Sequence, residues 1–317
     1  MIAMRDAWGE TLVRLGKDDR RIVVLDGDLA NSTKADLFAD AYPDRFIQVG
    51  IAEQNMVGMA AGLATLGFRP WLSSFGVFFS QRALDQIRVL LSQTGASVRI
   101  GASYAGLLNG SSGKTHQDIE DLAVMRAMPN MTVIAPADAK EARAATRWAA
   151  DHEGPVYLRV ARDAVADVFP EDFEFVPGLP RMLRQGRDLT IVSTGVQTSR
   201  VVEAAGLLAA EGIEATVIHL GTLKPLDEEA LLKQLGTTAL VVTVEEHSIL
   251  GGLGGLVSEI VAARRPGMRV ERIGLADHWS ESGPNDFLLD KYGLSPRRVA
   301  EQIHAVVNRP APASGAA

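Results

Sequence analysis

Short β-branched and apolar runs alternate with longer stretches of helical periodicity along almost the whole chain, and this alternation restricts the fold more than any other feature. It is the pattern of βαβ units carrying a parallel sheet. Strands are expected at 21–26, 69–73, 97–103, 131–135 and 155–159, with helices over 4–15, 53–66, 81–91, 118–125 and 139–149 between them. The periodicity fails from Asp163 to Arg187, where prolines, acids and aromatics mix. It resumes with strands at 189–193, 216–220, 239–244 and 269–273 and helices over 199–211, 227–235, 253–263 and 296–308. The expectation is an α/β protein of two successive doubly wound domains, the first with a parallel sheet and the second with a mostly parallel one. The first domain is placed over 1–165, a linker over 166–187, the second domain over 188–309 and a frayed tail over 310–317. A length of 317 residues suits two such domains.

Composition narrows the function classes. Thirty-two basic against 39 acidic residues leave a net charge of −7, which argues against an electrostatic grip on nucleic acid or an acidic membrane. A small anion held by a few local arginines is compatible with it. With no cysteine, disulfides, thiolate nucleophiles, iron–sulfur clusters and cysteine zinc sites fall away together, and the six histidines show no HExxH spacing. The N-terminus turns charged at Arg5 and Asp6 before an apolar signal region forms, and no apolar run approaches the roughly 18 residues a bilayer span needs. A cytoplasmic location is expected.

Several segments invite a chemical reading beside a plain one. Gly251–Leu256 is glycine-rich, but in neither register does it satisfy GxGxxG, since the third glycine falls on Val257 or the second on Leu253; a tight turn is the expectation. Asp26-Gly-Asp28 followed by Ser32 and Thr33 lies after the first strand, where either a helix cap or a phosphate-holding turn is expected. Glu53 opens a helix almost wholly of small and apolar residues. Its carboxylate either serves the helix dipole or, buried at the helix start, is a candidate acid/base. Phe75 and Phe78 are core aromatics or a wall for a flat ligand. His116 ends a polar loop, Gly110–Gln117, as a structural histidine or a proton carrier, and Arg159 and Arg162 are strand-end charges or an anion grip.

In order and spacing, Gly50-Ile-Ala-Glu53-Gln-Asn-Met, Ser74-Phe75-Gly-Val-Phe78, Gly113-Lys-Thr-His116-Gln and Pro129-Asn-Met resemble the pyrimidine-binding domain of thiamine diphosphate enzymes of the transketolase type. Thr222-Leu-Lys-Pro-Leu-Asp227 and Val244-Glu-Glu-His-Ser-Ile-Leu-Gly-Gly252 resemble that family's C-terminal domain, so the likeness covers roughly residues 4 to 308.

The resemblance implies that Glu53 hydrogen-bonds N1′ of the cofactor's aminopyrimidine and so activates it, in a dry pocket walled by Phe75 and Phe78, with Asp28 also near the cofactor. A family tyrosine three residues after Phe78 is Gln81 here. His116 would relay protons at the reacting carbonyl and hydroxyls. Arg5, Ser32 and Arg162 align with positions that hold a sugar phosphate, with Arg159 as a helper. A family aspartate that recognises a sugar hydroxyl is Ser112 here, and a family histidine twelve residues before His116 is Tyr104, so the resemblance implies a different ketose or acceptor preference.

A family GDG motif followed by an asparagine pair, which binds Mg²⁺ and the diphosphate, is missing: Gly27-Asp28 continues with Leu29, and no Asn-Asn occurs. The resemblance therefore implies a split enzyme, this chain being the C-terminal subunit. Its expected partner is a separately encoded diphosphate-binding subunit that supplies the Mg²⁺ ligands in an α2β2 heterotetramer. The face of the Glu53 helix with Gly58, Ala61 and Gly62 is expected either at a subunit contact or against its own sheet. The expected reaction is transfer of a two-carbon ketol unit from a ketose to an aldose. The alternatives are the β subunit of a 2-oxo acid dehydrogenase, a 1-deoxyxylulose-phosphate synthase-like carboligase, and a noncatalytic binding module.

Overall fold

The computed structural model describes residues 1–309, so the tail expected over 310–317 lies outside the described residues. Its strands are β1 (Ile22–Asp26), β2 (Phe46–Gln48), β3 (Arg69–Phe75), β4 (Arg99–Ser103), β5 (Thr132–Ile134), β6 (Val156–Val160), β7 (Arg181–Arg184), β8 (Leu189–Ser193), β9 (Ala215–His219), β10 (Thr222–Lys224), β11 (Leu240–Ser248) and β12 (Arg269–Leu275). A seven-stranded sheet runs β10-β5-β6-β4-β3-β1-β2, parallel except at β10, and a five-stranded sheet runs β12-β11-β8-β9-β7, parallel except at β7. Every residue of β1, β4, β6, β8 and β9 is buried. That is why these strands read as continuous apolar runs: helices cover both faces of a parallel sheet.

The order of the first sheet locates its functional edge. From β1 the chain crosses outward to β2, then returns to the other side of β1 as β3 and continues to β4. The direction of winding reverses between β1 and β3, and in open α/β sheets the crevice at the carboxyl ends of such a strand pair is where ligands bind. Those ends carry Asp26-Gly27-Asp28 and Ser74-Phe75.

Some local structure departs from expectation. Arg181–Arg184, inside the expected linker, is an edge strand antiparallel to β9, and Thr222–Lys224 of the second half joins the first sheet beside β5. The helices Asp36–Ala41 and Asn285–Lys291 and the strand β2 are short and carry little periodicity. The expected helix over 118–125 starts only at Asp121. The stretch from Phe78 to Ser92 is not a plain α-helix. It winds as two wide turns around a short α turn, with Ala83 N–H donating to the Phe78 carbonyl and Gln93 N–H to that of Arg88. Among the described residues no helix is long and apolar enough to cross a membrane.

Candidate active site

Glu53 is the first residue of the helix Glu53–Thr65 and is wholly buried. One carboxylate oxygen accepts the Ser74 hydroxyl at the end of β3 (2.9 Å), and the other accepts Nη1 of Arg82 (2.6 Å). Arg82 is 40% exposed while Glu53 is 0% exposed, so this ion pair stands at the boundary between protein and solvent. Asp26, at the end of β1, fixes the opposite lip: its Oδ1 accepts Leu29 N–H (2.8 Å) and the Gln48 amide (3.1 Å), and burial pushes its carboxyl above the usual range.

Phe78, Phe75 and Tyr104 form a row of three rings, of which the first two share a cavity with Glu53. Phe75 stacks against Phe78 (6.0 Å between centroids) and against Tyr104 (4.2 Å), and the His116 imidazole meets Phe75 and Phe78 edge-on at 6.1 and 5.5 Å. Offset and edge-to-face contacts of this kind hold the rings in defined planes. Glu53, Phe75, Phe78, His116 and Asp28 all line one cavity of about 430 Å³, a size that suits a small ligand. Asp28 has φ of +66° and is itself exposed, its N–H donating to Gln48 Oε1 (3.0 Å).

Gln81 is not in this cavity. It is exposed and donates to Glu120 (3.1 Å), and Arg82, which sequence reasoning missed, takes its place. The cause is the wide turn at Phe78: an i→i+5 turn holds roughly one residue more than an α turn, so the side of the helix that presents Phe78 is met again four residues on. The Arg82 guanidinium lies 4.1 Å over the Phe78 ring, and only the local winding would have signalled it.

At the far end of the ring row, Arg5 Nη1 donates to the Tyr104 hydroxyl (2.6 Å) and to the Ser32 carbonyl (2.8 Å). The Arg5 and Arg162 guanidiniums lie 5.6 and 5.5 Å from the Tyr104 ring centre. The Nε of each is buried without a hydrogen-bond partner among the described residues. Two cations with unused donors at one aromatic ring make a place for an anion. Ser32 contributes its carbonyl to this group, and its hydroxyl bonds Asn31. Ser112 is exposed and donates to Asn109 in its own loop (2.9 Å).

Arg159 stands apart from the anion group. It is 6% exposed, its Nε and Nη2 engage both oxygens of Asp121, and Nη2 also donates to the carbonyls of Asp118 and Glu246. Its Nε and Nη2 are thus engaged inside the protein, where they tie β6 to Asp121 and to β11. Among the described residues no three His, Cys, Asp or Glu side chains converge on a metal position.

The helix that begins at Glu53 buries Met56, Val57 and Ala60. A Cβ built on Gly58 or Gly62 would meet nothing within 4 Å, so these two glycines do not serve close contact with the chain's own sheet.

Comparison with known proteins identifies the family. Residues 1–167 match the family described as transketolase, pyrimidine binding domain, and residues 178–299 the one described as transketolase, C-terminal domain. A putative transketolase C-terminal section of Methanocaldococcus jannaschii is 43% identical over 95% of both chains. The 6-deoxy-6-sulfo-D-fructose transketolase subunit SqwH of a Clostridium strain is 38% identical over 96% of this chain and 95% of that one. Among solved structures, a split-gene transketolase described as an inactive β4 tetramer superposes with a TM-score of 0.89 at 46% identity, covering 97% of this chain and 99% of that one. The chain belongs to the transketolase family, which depends on thiamine diphosphate, and carries that family's pyrimidine-binding and C-terminal domains.

Proposed function

We propose that this chain is the C-terminal subunit of a split transketolase, moving a two-carbon ketol unit from an anionic ketose to an aldose acceptor in a complex with a diphosphate-binding subunit, Mg²⁺ and thiamine diphosphate. The observation that carries this reading is the buried Glu53 carboxylate beneath the Phe75–Phe78 pair, with His116 on the same cavity. The cavity already receives one flat N–H donor, the Arg82 guanidinium, between Glu53 and the Phe78 ring. A flat heteroaromatic ring with a polar edge fits the same pair of contacts. Glu53, Phe75 and Phe78 would hold the cofactor's pyrimidine, with Asp28 close by. When bound, the cofactor supplies a carbon nucleophile that accepts the transferred unit.

The chain's own residues have distinct tasks. Glu53 holds a proton at the pyrimidine edge, and Arg82 yields one carboxylate oxygen for that contact. Phe75 and Phe78 keep water from the pocket, which strengthens every polar contact in it. His116, with Nδ1 bonded to the Thr115 hydroxyl (2.8 Å), moves a proton at the substrate hydroxyl and carbonyl. Arg5 and Arg162 take the substrate's terminal anion, with Tyr104 and Ser112 bounding the sugar between them and His116.

The open face at Gly58 and Gly62 fits a subunit contact, and the related split-gene structure is of an inactive β4 assembly. Both support a partner chain, and an α2β2 arrangement is the form proposed. A donor and acceptor panel on the reconstituted complex, read by product mass, tests the reaction: acceptors should gain a two-carbon unit from ketose phosphates or sulfonates. Dye reduction by 2-oxo acids with no ketol product would replace this reading by a dehydrogenase subunit, and condensation of pyruvate with glyceraldehyde phosphate by a deoxyxylulose-type carboligase.

The anion group makes a separate prediction. A charge-assisted hydrogen bond contributes about 1.5–3 kcal/mol, so Arg162→Met or Arg5→Met should raise KM for a phosphorylated or sulfonated substrate roughly 10- to 100-fold. kcat should change little, and an uncharged aldose should be unaffected. Equal losses for charged and uncharged substrates would rule out this role.

A further inference from the structure

His116 enters the cavity on a loop between Ala105 and Asp118, yet much of what holds that loop belongs to the C-terminal half of the chain. Gly106 N–H donates to the Asp118 carbonyl (2.7 Å) and closes the neck, giving the compact form of an Ω-loop. Beyond the neck, Glu246 on β11 is 1% exposed and reaches across the domain boundary. Its Oε1 accepts the N–H groups of Leu107 (2.8 Å) and Leu108 (3.2 Å), and its Oε2 accepts Nη1 of Arg200 (2.7 Å). Asn285, opening the helix Asn285–Lys291, accepts Gly110 N–H (3.0 Å) and donates to the Leu108 carbonyl (3.2 Å) and the Asp163 carboxylate. Gly283 N–H donates to the Gly110 carbonyl (3.0 Å), and the Ser280 hydroxyl to Gln117.

The approach is close enough to restrict the loop's residues. A Cβ on Gly106 would lie 2.5 Å from Glu246 Oε1, and one on Gly110 would lie 2.3 Å from the Gly283 carbonyl oxygen. A side chain at either position would push the loop off its support. Leu107, Leu108 and Gly110 are all buried, so without Glu246 and Asn285 their N–H groups would have to open to water or stay unpaired at a cost.

We propose that Glu246 and Asn285 are positioning residues through which the C-terminal domain holds the loop that presents His116. What His116 does rests on the function proposed above; the clamp itself rests on the contacts just described. Neither residue lines the cavity, and both act through the loop's backbone.

Hydrogen exchange on the full chain measures the clamp directly. In Asn285→Ala and in Glu246→Ala, each of which removes the acceptor of a loop N–H, peptides spanning 105–117 should exchange at least about tenfold faster, while peptides from β1 and β8 keep their rates. Unchanged loop exchange in both variants, or an equal rise throughout both domains, would overturn the proposal. In the reconstituted complex both variants should lose about tenfold or more in kcat, with cofactor affinity retained. That loss should disappear in a His116→Ala background, as expected for residues acting through one another. A loss that persists there would overturn positioning through His116. A wild-type complex without ketol transfer would count against the proposed function alone, because the exchange result decides the clamp whatever the reaction is.

Discussion

Supplied with thiamine diphosphate, Mg²⁺, ketose and aldose, the purified chain by itself is expected to give no detectable ketol transfer, and addition of the diphosphate-binding subunit should restore it. The expectation follows from what this chain can offer the cofactor. In the proposed function Glu53, Phe75 and Phe78, which share one cavity, would offer the cofactor one polar contact and an aromatic wall around one ring. A diphosphate with its metal needs a cluster of oxygen ligands and N–H donors, and among the described residues no cluster of acids or histidines converges on a metal position. Two charge-assisted contacts at roughly 2 kcal/mol each already amount to about 10³ in affinity, so the gain on mixing should be at least of that order. Titrating the partner at fixed chain concentration, with activity as the readout, gives the stoichiometry as well. A break at equimolar subunits is expected for α2β2, and strong activity of this chain alone would defeat the split-subunit reading.

Substituting on the open helix face extends that test. Beyond its own helix backbone, Gly62→Arg or Gly58→Gln meets nothing within 4 Å of its Cβ, so either change should leave the free chain intact and interfere only where another chain covers that face.

The sequence made the architecture readable because strands buried on both faces leave unbroken apolar runs, as in β1 and β6, and the helices between them keep a clear period. The edge elements escaped it. Arg181–Arg184 is a half-exposed Arg-Met-Leu-Arg without alternation, and Thr222–Lys224 is three residues long, so neither carries a pattern of its own; each is a strand only because a neighbour offers hydrogen bonds. The site divides in the same way. Glu53, Phe75, Phe78 and His116 stand in fixed-spacing segments and meet at one cavity. Gln81 and Arg159 lie outside that cavity for reasons local sequence does not express. A wide turn rotates Gln81 away and brings Arg82 in, and Asp121, far from Arg159 in the chain, claims the latter's guanidinium. Glu246 and Asn285 could not have been connected with His116 from spacing at all, since their contacts with the loop cross more than a hundred positions.

Glu53→Ala is the substitution expected to do most damage in the active complex, lowering turnover on the order of 10²–10⁴-fold, the range by which a positioned acid or base accelerates a reaction. The fold should survive it. The substitution deprives the buried Ser74 hydroxyl of its acceptor and releases Arg82. An unpaired buried donor costs about 1–3 kcal/mol, whereas Arg82, already 40% exposed, can return to water. The thermal midpoint should therefore fall by a few degrees without loss of the folded baseline. Glu53→Gln separates the two effects, because the amide keeps the volume and an acceptor for Ser74 but cannot exchange a proton as a carboxyl does. Its midpoint should lie nearer to wild type than that of the alanine variant, while its turnover should be nearly as low. If both variants instead turn over at the wild-type rate in the complex, Glu53 takes no part in activating the cofactor. The buried carboxylate would then be a support for Ser74 and Arg82, and a noncatalytic role for the chain would become the better reading of the same geometry.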